Sequence, residues 1–167
     1  MTTQLISDYY DTALGGVITV FDRGLLCALD FAEYEARMHR LLKKRYGAYR
    51  LVKQPDPFGF RAVIDRYLGG DPAAFESVRV SVRGTEFQEQ TWRALRRIPP
   101  GATVSYGELS RKIGRPKAVR ALGHANSQNP IALVIPCHRV IGKDGSFTGY
   151  AGGLARKEWL LRHEGAI

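Results

Sequence analysis

Glycine and proline punctuation constrains this chain more than any other feature of its sequence. The 18 glycines and 8 prolines gather in clusters that cut the chain into short pieces, each of a size for one helix or one strand. The longest apolar runs, such as Ile131 to Pro136, fall far short of the roughly 20 residues a membrane helix needs. Residues 1–31 read as β structure. Ile18 to Phe21 and Leu25 to Phe31 flank Asp22-Arg23-Gly24, a turn sequence that predicts a hairpin. A helix is expected from about Glu33 to Tyr46, and Pro55, Pro57 and Gly59 then mark a loop. Phe60, Val63, Ile64, Tyr67 and Leu68 carry the spacing of one buried helix face, which Gly69-Gly70-Asp71-Pro72 stops. Val78, Val80 and Val82 alternate with polar residues, the pattern of a half-buried strand.

Gly84 marks the expected boundary between an N-terminal domain, 1–84, and a C-terminal domain, 85–167. Beyond it, Thr85 with Gln88 forms a capping box that predicts a helix start. That helix runs to about Ile98, where Pro99-Pro100-Gly101 stops it. A short helix is expected from Tyr106 to Ile113, and a second from Pro116 to about Asn126. Joined through Gly114, the pair reads as a helix-turn-helix whose second helix carries Lys117 and Arg120. An ordinary helical hairpin has the same spacing. Ile131 to Ile135 reads as a buried strand ended by Pro136, followed by a Gly142–Gly145 turn, a glycine-rich loop from Thr148 to Gly153, and a last helix from Leu154 to Glu164 closed by Gly165.

Charge sharpens the division. The formal net charge is +9. Residues 1–84 hold 12 Lys/Arg and 10 Asp/Glu, a net of +2, whereas 85–167 hold 13 and 6, a net of +7. A basic half-chain fits a polyanionic partner such as nucleic acid, and a solvated basic surface has the same composition. A hydrophobic fraction of 44% is enough for a core and argues against global disorder. Met1 to Asp11 has no secretory pattern. Two cysteines, Cys27 and Cys137, make neither a disulfide framework nor a four-ligand zinc site. A reduced, cytoplasmic setting is expected.

Chemistry concentrates at Cys137-His138-Arg139. Only a thiolate is a strong nucleophile, and neighbouring positive charge favours it. His138 can act as base directly or through a water, and Arg139 adds positive potential if it points the same way. Adjacent residues on a regular strand face opposite sides, so Cys137 and His138 can cooperate only at a bend, which Pro136 makes accessible. A buried structural cysteine is the competing reading.

Ile135-Pro136-Cys137-His138-Arg139-Val140-Ile141 resembles the active-site motif of the O6-alkylguanine-DNA alkyltransferases. Val104-Ser105-Tyr106-Gly107, Ala121-Leu122-Gly123, Asn129-Pro130, Thr148 to Gly153 and Lys157 to Gly165 resemble further family segments in the same order and spacing. The resemblance is dense from Thr85 to Gly165 and only architectural before that. It implies an α/β (α+β) chain: a small mixed or antiparallel N-terminal sheet with helices, ribonuclease H-like, and a mostly helical, winged helix-turn-helix-like C-terminal domain.

The implied function is repair of alkylated double-stranded DNA. Each molecule would move one alkyl group from O6 of guanine, or O4 of thymine, to Cys137, irreversibly and without a cofactor. His138 would take the thiol proton through a water, Glu164 would orient the imidazole, Tyr106 would protonate the departing base, and Asn129 would brace the turn. Arg120 would fill the gap left by a flipped base, with Lys117, Ala118, Ala121, Gly123 and Tyr106 along the DNA. Val140, Tyr150 and Ala151 would line the pocket. His124 stands where the family usually has a small residue, and Ala151 replaces a serine found in some relatives. Some relatives hold zinc in the N-terminal domain; with only Cys27 and His39 there, no metal is expected. A monomer that does not associate with membranes is expected, and cooperative assembly along DNA is compatible with it. A non-catalytic lesion-binding module and a cysteine hydrolase are the alternatives. The presence of Cys137 disfavours the first, and the absence of an identifiable oxyanion site disfavours the second.

Overall fold

The computed structural model describes residues 1–167. The chain divides into two compact units: Met1–Arg83 with Pro130–Ala132, and Gly84–Asn129 with Leu133–Ile167.

The first unit is built on a four-stranded sheet. Strands β1 (Thr3–Thr12), β2 (Gly15–Asp22), β3 (Leu25–Phe31) and β4 (Tyr49–Lys53) lie in the order β3-β2-β1-β4, with β1 parallel to β4 and the other pairs antiparallel. The expected hairpin joins β2 to β3. Arg23 and Gly24 both take positive φ, 50° and 84°, the conformation whose twist suits a two-residue hairpin loop. Helix α1 (Glu35–Tyr46) follows a single 3-10 turn at Ala32–Tyr34. It buries Met38 and Leu42 against Leu5, Ile18, Val20, Cys27 and Ala28 of the sheet. Helix α2 (Phe60–Leu68) buries Phe60, Ile64 and Tyr67, and its aromatic side chains pack on Phe21 and Phe75 with centroid separations of 4.8 to 6.3 Å. Val78 to Val82 is not a strand. Only Val80 forms a bridge, to Leu26, because the alternating valines meet a single residue of β3 and no ladder extends from it.

The second unit is mostly helical: α3 (Glu86–Arg96), α4 (Tyr106–Lys112), α5 (Val119–Ser127) and α6 (Leu154–His163), with a two-residue parallel pair of β5 (Val104–Ser105) and β6 (Val140–Ile141). The predicted capping box is complete. Thr85 Oγ1 accepts from Gln88 N–H at 3.1 Å, and Gln88 Oε1 accepts from Thr85 N–H at 3.0 Å. Trp92 of α3 donates to the carbonyl of Ala125 in α5 at 3.0 Å, tying the two helices together. Helix α5 starts later than the sequence suggests. Pro116 sits in a turn closed by Ala118 N–H on Arg115 C=O, 3.0 Å, a position that suits its fixed φ. Lys117 and Ala118 therefore precede the helix.

Candidate active site

The cysteine stands on a sharp turn, and the residues before it explain the turn. A strand over Ile131–Ile135 would span about 16 Å. Instead only Ile131 makes a bridge, to Leu29, and the chain doubles back through Leu133 at φ 70°. Asn129 closes the loop: its Nδ2 donates to Ile135 C=O at 2.8 Å, a reach that an extended segment would forbid. The same Nδ2 lies 3.0 Å from Cys137 Sγ. Pro136 then leads into a 3-10 turn over Cys137–Arg139, so Cys137 and His138 do not face opposite sides of a strand. Asn126, at the buried end of α5, adds a long contact from its Nδ2 to Cys137 C=O, 3.5 Å.

His138 is fully buried, and its Nε2 lies 2.9 Å from Glu164 Oε2. Arg139 grips the same carboxylate with two donors, Nε on Oε1 at 2.9 Å and Nη2 on Oε2 at 3.0 Å, and its Nη1 donates to Ile98 C=O at 2.6 Å. Arg139 therefore spends its charge on Glu164 and does not point at the thiol. Burial pushes the Glu164 carboxyl up, but the hydrogen bonds from His138 and Arg139 outweigh it and hold it well below the usual carboxylate range. Burial pulls the His138 imidazole below its ordinary value despite Glu164. The resting state is thus a carboxylate beside a neutral imidazole. Glu164 can only accept, so Nε2 carries the proton and Nδ1 holds the lone pair. Nδ1 is buried and has no hydrogen-bond partner in the protein. It is a base poised without a proton.

Glu164 is placed by the end of α6. Gly165 at φ 77° closes the helix, with Gly165 N–H on Arg162 C=O and Ala166 N–H on Leu161 C=O, at 3.0 and 2.8 Å. This left-handed glycine cap fixes Glu164 as the C-cap residue, directly after the last helical residue His163. The buried face of α6 is Lys157, Leu160, Leu161 and Glu164, one stripe at helical spacing with a charge at each end. Lys157 Nζ donates to Val140 C=O at 2.6 Å and to Thr148 C=O at 3.0 Å. Tyr150 stands edge-on to His138, centroids 6.4 Å apart. Tyr106 opens α4, where Ser105 caps it, and its hydroxyl accepts from Thr148 Oγ1 at 3.3 Å.

The other predicted residues range from exposed to buried. Arg115, Lys117, Arg120 and Ala121 are exposed, as is His124 one turn after Arg120. Leu122, Ala125 and Asn126 form the inner face of α5. Gly123 lies within van der Waals reach of Tyr106, since a Cβ there would sit 4.0 Å from Tyr106 Cε1. Ala118 and Ala151 are half-buried, and Val140 is fully buried. The structure thus groups Cys137, His138, Glu164, Asn129, Val140 and Tyr150 in one site, with Tyr106 joined to it through Thr148.

Sequence reasoning missed three residues here: Asn126, Lys157, and Arg139 in its actual role as partner of Glu164. For Lys157 the signal was present. Counting helical spacing outward from Leu160-Leu161 puts positions 157 and 164 on the inner face. No cluster of three or more His, Cys, Asp or Glu side chains is placed to hold a metal ion, and no helix is long and apolar enough to cross a membrane.

Residues 86–166 match the family model described as 6-O-methylguanine DNA methyltransferase, DNA binding domain. The chain is 44% identical to a methylated-DNA–protein-cysteine methyltransferase of Salmonella typhimurium, over 98% of both chains. It is 47% identical to one from Mycobacterium bovis, over 75% of this chain and 77% of the relative. Among solved structures, Mycobacterium tuberculosis OGT in complex with DNA superposes with a TM-score of 0.80 at 36% identity, covering 96% of this chain and 93% of that one. The O6-methylguanine-DNA methyltransferase of Pyrococcus kodakaraensis superposes with a TM-score of 0.72 at 26% identity, covering 96% and 99%.

Proposed function

This chain belongs to the methylated-DNA–protein-cysteine methyltransferases, and from that premise we propose that it repairs O6-alkylguanine in duplex DNA by moving the alkyl group once and irreversibly to Cys137. The observation that carries this reading is the buried Cys137 turn beside a neutral imidazole whose Nδ1 is open and whose Nε2 is held by an ionised Glu164. The thiol proton passes through a bridging water to His138 Nδ1. Sulfur bonds to the alkyl carbon as the carbon–oxygen bond breaks, and its electron pair goes to the guanine. Tyr106 protonates the departing base, a general-acid step, and recovers its proton from the imidazolium through solvent. The product thioether carries no group that water displaces readily, so each molecule acts once.

Cys137 is only 4% exposed, which supports a reaction on an extruded base, at a cost of a few kcal/mol. The exposed Arg120 on α5 supports a role in filling the vacated stack, and Lys117 supplies a phosphate contact. The same pocket admits O4-alkylthymine. Strand order β3-β2-β1-β4 with a parallel β1–β4 pair supports a ribonuclease H-like first unit. The α4–turn–α5 succession beside β5–β6 supports a winged helix-turn-helix in the second.

Incubation with duplex DNA carrying O6-methylguanine is expected to add one methyl group, about 14 Da, to Cys137, read by intact mass and peptide mapping. Repair without an adduct on Cys137, or no repair at all, overturns the assignment.

A further inference from the structure

Lys157 is the one fully buried cation of the second unit that pairs with no carboxylate. Its side chain is 0% exposed, and its hydrogen bonds go to two backbone carbonyls. The two carbonyls belong to opposite ends of one segment. Val140 directly follows the Cys137–Arg139 turn, and its N–H returns to Cys137 C=O. Thr148 lies beyond the Gly142–Gly145 turn and meets Tyr106 through its hydroxyl. One ammonium group therefore pins both ends of the stretch that carries the nucleophile's turn into the pocket wall.

We propose that Lys157 is a positioning residue that clamps the 140–148 segment and places a positive charge beside the Cys137 thiol. The inference rests on the alkyl-transfer reading for its purpose, but its geometry stands without it. A charge kept in a dry interior is costly unless compensated, and a lysine so placed can help a nearby anion to form. Burial pulls the Lys157 ammonium down to about 8, and an ionised Cys137 pushes it back up. Its hold on Val140 C=O, whose own N–H bonds Cys137 C=O, brings it to the turn of Cys137 and His138, the titratable groups that its charge acts on. The nearby carboxylate, Glu164, is already held by His138 and Arg139. Opposite ends of one α6 stripe thus act on one turn. Glu164 sets the base, and Lys157 favours the thiolate and holds the segment after it.

The test compares K157Q and K157R with the native protein, first by pH-dependent carbamidomethylation of Cys137 with iodoacetamide, followed by peptide mapping, and then by transfer from O6-methylguanine duplex. K157Q, which keeps a donor and loses the charge, is expected to move the Cys137 ionisation up by about one pH unit and to slow transfer about tenfold or more. K157R keeps the charge and is expected to leave the ionisation near its native position, while slowing transfer because a planar fork cannot copy the two carbonyl contacts. If K157Q fails to fold, K157R decides alone. A thiol ionisation displaced as far in K157R as the full unit expected for charge loss, or one unmoved in a folded K157Q, overturns the proposal. Carbamidomethylation needs no lesion, so these outcomes are separate from failure of the repair reading itself.

Discussion

Glu164→Gln tests the electrostatic core of the site. The substitution keeps the shape and removes the charge that receives three hydrogen bonds, at 2.9, 2.9 and 3.0 Å. A glutamine has one oxygen and one NH2 group, so it cannot accept in both places. With its oxygen toward His138, its NH2 confronts Arg139 Nε–H. With its oxygen toward Arg139 Nε, its NH2 confronts His138 and forces the opposite tautomer, which puts a proton on Nδ1 and removes the base. Either arrangement leaves the buried Arg139 without its carboxylate, a loss worth about 3–5 kcal/mol. The wrong tautomer lowers the transfer rate on the order of a thousandfold. Urea unfolding at pH 7 reads the first effect, and single-turnover transfer with excess protein reads the second. The native advantage is also pH-dependent. Because the folded Glu164 sits below the ordinary 4.5, its contribution is present above that value and is lost as pH falls through the folded value; E164Q has no such component. A variant that reacts within about threefold of native and unfolds at the same urea concentration would refute the reasoning.

Two further outcomes follow from the same geometry. Burial lowers His138 from 6.5, so the imidazole stays an available base to lower pH; the acid limb of the transfer rate should lie below 6.5, and a midpoint at or above that value would contradict it. Arg120→Ala should slow repair in duplex about tenfold or more while changing reaction with free O6-benzylguanine by less than about twofold; equal losses on both substrates would remove Arg120 from base extrusion.

Elements governed by local chemistry were legible in the sequence. The Thr85–Gln88 box, the Asp22-Arg23-Gly24 turn and the α2 stripe each depend on residues within a few positions of one another. What escaped was set by distant partners. β4 has Arg50 and Lys53 among its five residues and is a strand because β1 pairs with it in parallel. Val78 to Val82 has the better strand pattern and finds only Leu26. Ile131–Ile135 looks like a strand by composition, but the Asn129 side chain bends it into a loop. At the site, adjacency marked Cys137 and His138, whereas the division of labour between Arg139 and Lys157 appears only when Glu164 is seen to be occupied.

The second cysteine has a use of its own. Cys27 lies in β3 with no exposed surface, and burial pushes its thiol up to about 11, so it is shielded from reagents twice over, by access and by protonation. Once Cys137 is blocked by its own alkyl group, the rate at which a thiol probe reaches Cys27 reports how often the sheet opens. The protein carries an internal clock for unfolding that starts after its chemistry has ended.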